Sequence, residues 1–230
     1  MVSEATKLSK ETLAVLKNFS TLNSNILVEE GNVIETITPT KNVMARAVVD
    51  EEFSTKFGIW DLSKFLSVVS MFDSPEFTFD DKYVLIGDGK KSSVKYHYCE
   101  PSLLTVPTKQ VNMPDTALTI DMTNVMFNEL TKASSVLQVQ DLRICPSDDG
   151  SEILGIVHDV NDPTSNHYSI SLGENTVDAS YQFDFKINLL RMFPGNYTVD
   201  FTETVISKFT HNDFDLTYWI ALETSSKFNG

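Results

Sequence analysis

"MFDSPEFTFDD", residues 71–81, and "MFPGNYTVDF", residues 192–201, share one layout: an apolar pair, a proline-marked turn, then a run alternating between apolar and polar residues. Proline stops a helix and period-2 alternation marks a half-buried strand, so each copy reads as a helix end followed by a strand. Working backwards, "DLSKFLSVVSMF", residues 61–72, places Leu62, Phe65, Leu66, Val69 and Phe72 at helical spacing behind Asp61 as cap. Its counterpart "KINLLRMF", residues 186–193, predicts a short helix stopped by Pro194-Gly195. Each half also opens on an amphipathic helix, one from Ser9 and one from Thr123, and runs through β-rich hairpins before its second helix. Between the halves lies the proline-rich "CEPSLLTVPTKQVNMPD", residues 99–115. The fold class that follows is α+β with mostly antiparallel strands, in two similar domains at 1–105 and 117–230 joined by a connector at 106–116.

The first helix, residues 9–23, carries a basic stripe. At about 100° per residue, Lys10 and Lys17 fall in one narrow arc with Ala14 and Thr21, and Lys7 lies on the same line ahead of Ser9. Leu8, Val15, Leu16, Phe19 and Leu22 gather opposite. Ser9 is a good N-cap, and Glu11 sits in the first turn where the helix dipole favours a carboxylate. A solvated face is the ordinary occupant of such a stripe; a polyanion surface is the alternative. The third helix, "TNVMFNELTKASSVL" at 123–137, has an apolar line of Met126, Leu130, Ala133 and Leu137 but only Lys132, beside Glu129, on its polar side.

The 230 residues carry 32 acidic against 18 basic side chains, a formal net charge of −14. Such a chain does not coat nucleic acid with its whole surface, so any contact with phosphates must be confined to a patch. Two cysteines, Cys99 and Cys145, make no disulfide framework. No long apolar run suggests export or membrane spanning, and a reducing cytoplasm fits. Val2 to Thr6 reads as an extension of the fold, and the acidic stretch from Asp50 to Lys56 reads as a loop without an assigned place.

"KLSKETLAVLKNFSTLNSNI" at 7–26, "DLSKFLSVVSMF" at 61–72, "YSISLG" at 168–173, "RMFPGNYTV" at 191–199 and "YWIALE" at 218–223 together resemble the sliding clamp, or DNA polymerase processivity factor, of T-even-type tailed phages. The resemblance implies two DNA-clamp domains per chain, antiparallel sheets on the outside and helices lining a ring of three subunits through which double-stranded DNA passes. It implies an ATP-dependent clamp loader and the replicative DNA polymerase as partners. Late-transcription factors with the host RNA polymerase are further partners, in the cytoplasm of an infected bacterial cell. It places Lys7, Lys10 and Lys17 on the DNA, and less firmly Lys64, Lys132, Lys186 and Arg191. Partner peptides would dock in an apolar depression near the connector, at Leu103, Leu104, Val106 and Pro107 with Tyr218 as a wall. No cofactor, metal or catalytic residue is implied.

An enzyme reading finds little support. "GDGKKSS" at 87–93 fails the phosphate-loop pattern, since Lys91 stands where a magnesium-ligating Ser or Thr belongs, and it reads as a hairpin turn. His97 and Cys99 lack a second pair at zinc spacing. Asp213 and Asp215, with His211, would alternate on a strand and could hold a divalent metal as in a nuclease. A metal-dependent nuclease and an α+β phage structural protein are therefore the alternatives to the clamp.

Overall fold

The computed structural model describes residues 5–89, 91–203 and 206–229, and divides between Gln110 and Val111 into two compact units. Unit 1 runs α1 (Lys10–Leu22), β1 (Ile26–Val28), β2 (Gly31–Ile37), β3 (Val43–Phe53), β4 (Phe57–Ile59), α2 (Leu62–Val69), β5 (Glu76–Phe79), β6 (Tyr83–Gly87) and β7 (Ser93–His97), closing on a 3-10 turn at Pro101–Leu103. Unit 2 runs β8 (Thr116–Met122), α3 (Asn124–Leu137), β9 (Asp141–Pro146), β10 (Glu152–His158), β11 (Tyr168–Glu174) and β12 (Ser180–Lys186). A 3-10 turn at Ile187–Leu189 follows, then β13 (Tyr197–Thr202), β14 (Ile206–His211), β15 (Leu216–Ala221) and β16 (Lys227–Asn229).

The duplication read from the two proline turns is present in the strand order. After its opening helix, unit 1 forms an antiparallel sheet in the order β4-β1-β2-β3, and unit 2 repeats that order as β12-β9-β10-β11 with β16 added beside β12. The three strands after the second helical segment form the ladders β5-β6-β7 and β13-β14-β15. β8 precedes α3 and pairs with β13. Unit 1 keeps a remnant of that strand: Thr6 and Phe77 exchange both backbone hydrogen bonds at 2.8 Å, ahead of α1 and onto β5. Thr6 thus belongs to the repeat and is not an extension; Val2 to Glu4 lie outside the described residues.

Both cores are aromatic. Phe53, Phe57, Phe77 and Phe79 pack ring to ring in unit 1, and Phe183, Phe185, Phe201 and Phe209 do so in unit 2. The alternation of β12, Tyr181-Gln182-Phe183-Asp184-Phe185, buries Asp184 as well as the rings. That carboxylate takes Nε of Arg143 at 2.8 Å, Nη2 of Arg143 at 3.3 Å, and 2.6 Å bonds from Ser225 and Gln182. Burial opposes its charge, yet these donors together hold its carboxyl below the usual carboxylate range. The same network pins the chain entering β16, since Glu223 N–H donates to the Asp184 carbonyl and Asp184 N–H to the Ser226 hydroxyl.

The short helix expected at 186–193 is not there. β12 continues to Lys186, and only one 3-10 turn fits before Pro194, with Leu190 and Met192 buried in alternation as on a strand. "GDGKKSS" is the turn between β6 and β7, with Lys90 outside the described residues.

Replacing Asp184 with Ala should destabilise the protein by about 3 kcal/mol at neutral pH, because the Arg143 guanidinium stays partly buried without its partner. A carboxyl depressed in the folded state contributes stability above its unfolded value, and that contribution is lost as pH falls through the folded one. Urea denaturation should therefore show the gap between wild type and variant shrinking once the pH drops below about 4.

Candidate nucleic-acid interface

Helix α1 is seated from both sides. Thr12, Val15, Leu16, Phe19 and Leu22 are buried, Phe19 completely. At its start the Ser9 hydroxyl accepts the Thr12 N–H at 3.1 Å, and the Glu51 carboxylate accepts the Ser9 N–H and the Thr12 hydroxyl. The Asp50–Lys56 stretch is thus no loose loop. β3 extends through Phe53 and carries Glu51 to the helix N-terminus, where a carboxylate satisfies orphan amides and meets the positive end of the dipole. The sequence offered no signal for this contact across 42 residues.

With the core face committed, the opposite face is fixed. Lys10, Lys17 and Thr21 are exposed, and neither lysine is in an ion pair among the described residues. Helix α2 packs against α1 and is capped by Asp61, whose side chain accepts the Lys64 N–H at 2.9 Å; Lys64 itself is exposed. Lys7 lies before the helix and its ammonium sits 3.3 Å from Glu76, so it is not part of the α1 stripe.

The second unit answers differently. Lys132 is exposed on α3, one turn from Glu129. Lys186, expected on a helix, is the last residue of β12 and is bonded to Asp141, whose carboxylate raises its pKa through that hydrogen bond. Arg191 is exposed after the 3-10 turn, with Nε donating to the Asn188 carbonyl at 3.0 Å.

The partner-pocket residues separate. Leu103 is 63% exposed. Leu104 is buried against Gly58, where a Cβ would lie 2.7 Å from the Leu104 side chain and 2.8 Å from the Cys99 backbone carbonyl, so a larger residue would force the backbone to shift. Val106 and Pro107 line a depression of about 300 Å³ with Leu27, Val33, Glu29 and Glu30. Its edge is held by asparagines the sequence reading missed: buried Asn23 donates to the carbonyls of Ile37 and Thr105, and Asn25 accepts the Thr105 N–H at 3.0 Å. The repeated Asn in "NSN" after the helix was the available signal. Tyr218 is not a pocket wall. It is fully buried in the core of unit 2, accepts the Phe193 N–H at 3.0 Å, and burial pushes its hydroxyl pKa up.

The nuclease alternative fails on geometry. β14 ends at His211, so Asp213 and Asp215 sit in the turn before β15 and do not alternate on a strand. His211 is buried, with Nδ1 accepting the N–H groups of Asp213 and Phe214 and Nε2 facing the Pro194 carbonyl. Among the described residues no group of His, Cys, Asp and Glu could hold a metal ion, and no helix is long and apolar enough to cross a membrane.

A duplicated unit of helix, four-stranded sheet and three-stranded ladder, with exposed lysines on the opening helix of the first copy, is the architecture of DNA clamps. The family model "DNA polymerase processivity factor" matches residues 8–102, and "gp45 sliding clamp, C terminal" matches residues 119–224. The sliding clamp of Escherichia phage RB69 is 30% identical over 227 residues, 96% of this chain and 98% of the relative. That of Vibrio phage KVP40 is 28% identical over 221 residues, 94% and 99% of the two chains. In structure, proliferating cellular nuclear antigen from Entamoeba histolytica superposes with a TM-score of 0.71 at 12% identity, covering 97% of this chain and all of that one. The chain belongs to the sliding-clamp family of phage DNA polymerase processivity factors, which are not enzymes.

Incubation with supercoiled plasmid and magnesium or manganese should leave the plasmid intact, and Asp213→Ala should behave as wild type. Chelator-sensitive nicking by wild type alone would contradict this.

Proposed function

We propose that three copies of this chain close head to tail around double-stranded DNA, with α1 and α2 toward the duplex, and tether the replicative DNA polymerase during synthesis. The observation that carries the reading is the unpaired Lys10–Lys17 face on a chain of net charge −14. A closed ring retains DNA by topology, so it needs no tight or base-specific grip, and such a grip would stop it sliding. Lysine attraction spread over equivalent phosphates and screened over roughly 8 Å centres the duplex without pinning it. The acidic remainder, three times −14 for the ring, disfavours DNA on the outside.

Opening such a ring calls for an ATP-dependent clamp loader, and the phage setting supports the cytoplasm of an infected bacterial host as the place of action. Late transcription with host RNA polymerase belongs to the same reading. For partner peptides we propose the depression under Val106 and Pro107, at the start of a connector spanning 106–116, with Leu103 exposed nearby. A. fulgidus PCNA carries a bound C-terminal region of FEN-1, which supports peptide docking as a use of this fold.

Loaded onto a nicked circle and then challenged by linearisation, the protein should be released from the new ends. Retention on linear DNA would contradict encirclement. Lys10→Glu with Lys17→Glu should weaken loading and retention several-fold while leaving the oligomer intact; dissociation of the oligomer as the main effect would contradict the face assignment.

A further inference from the structure

The two units repeat each other in strand order, so their opening helices can be compared residue by residue from the caps. Ser9 and Thr123 play the same part: each side-chain oxygen accepts the N–H three residues on, from Thr12 and from Met126. Counting from those caps, buried Leu16 corresponds to buried Leu130, which fixes the register of the two core faces. Lys10 then corresponds to Asn124 and Lys17 to Thr131. Both lysines of unit 1 have neutral counterparts.

Among the described residues of unit 2, Lys132 is the one cation on an α-helix, and Arg191, exposed after the 3-10 turn, stands off any helix. Lys132 is one position off the line that Thr131 occupies, and Glu129 lies about 60° from it around the helix and one turn away. In α1, by contrast, Glu11 lies about 100° from Lys10 and its place in the first turn is explained by the helix dipole. The segment that corresponds to α2 is a single 3-10 turn, and Lys186 beside it is bonded to Asp141. The solvent line of α3 carries Val125 and Val136, 66% and 71% exposed, with Lys132 between them and within about 40° of both around the helix.

We infer that the electrostatic hold made on duplex DNA by the helices comes from unit 1, through Lys10, Lys17 and Lys64, and that α3, where Lys132 is offset by Glu129, presents the duplex with a surface of no net charge. The inference rests on the clamp reading above and sharpens it. A three-subunit ring would then touch the phosphates at three cationic stations with neutral ones between. Weak contact at alternate stations leaves the duplex free to shift between them, because each phosphate leaving one lysine pair has no second pair waiting in the same subunit.

The test is binding to a short blunt duplex of about 30 base pairs, which threads a closed ring without a loader, followed by fluorescence anisotropy across a salt series. Lys10→Glu with Lys17→Glu should weaken binding on the order of tenfold or more at low salt, and should flatten the salt dependence by about 0.9 in log–log slope for each phosphate no longer neutralised. Lys132→Glu should change affinity by less than about twofold, and Asn124→Lys with Thr131→Lys should tighten it on the order of tenfold. Lys64→Glu is the independent unit 1 variant should the double one fold poorly. The inference is overturned if Lys132→Glu costs as much as the unit 1 variants, or if the two added lysines on α3 leave affinity unchanged. Release from linearised circles, run beside this series, reports on encirclement separately: its failure would overturn the ring and leave the comparison of the two helices readable.

Discussion

The seating of α1 is the contact on which the functional face depends. Phe19 is fully buried beneath the helix and the Glu51 carboxylate holds its first turn, so the helix can neither roll nor fray without giving up one or the other. Burial of a phenylalanine side chain and of its neighbours outweighs by several-fold any contribution from an exposed lysine, which means the core decides where the lysines point. Lys10 and Lys17 are cationic surface by exclusion: the opposite face has no room for them. A hydrophobic decision thereby becomes an electrostatic one.

The same division of labour accounts for an acidic protein that handles an acidic polymer. In the ring proposed above, affinity for phosphates over the whole surface would favour binding on the outside, and a dense cationic bore would slow sliding. Lys7, Lys56, Lys186 and Arg143 are taken up by Glu76, Glu29, Asp141 and Asp184, whereas Lys10, Lys17 and Lys64 stay exposed on the helices of unit 1. The family accounts for the duplicated fold; this chain's own sequence makes the opening helices of its two repeats unequal in charge.

Much of this was legible in the amino-acid order. Ser9, Asp61 and Thr123 announced their caps, and the proline turns after Met71-Phe72 and Met192-Phe193 announced the repeat, because these signals are local. What escaped was decided at a distance. Glu51 reaches α1 only because β3 runs on through an acidic stretch that resembles a loop, and Thr6 pairs with Phe77 across most of unit 1. "KINLLRMF" has helical spacing over too few residues, and pairing of Lys186 with Asp141 claims its first position for a strand. Tyr218, expected as a wall of the partner depression, is placed by the fold in the core of unit 2, and the His211 side chain is occupied by its own turn. Local chemistry thus placed the helices and their lysines, whereas the depression under Val106 and Pro107 needed Leu27 and Val33 brought to them from β1 and β2, with Asn23 and Asn25 bonded to the neighbouring Thr105.

Sedimentation equilibrium of the purified protein at micromolar concentration tests the central claim most directly, since a cationic lining holds duplex DNA only if the chain closes on itself. The expected mass is three times the 25.8 kDa of one chain, unchanged on dilution through the micromolar range. A single species at 25.8 kDa would contradict the account.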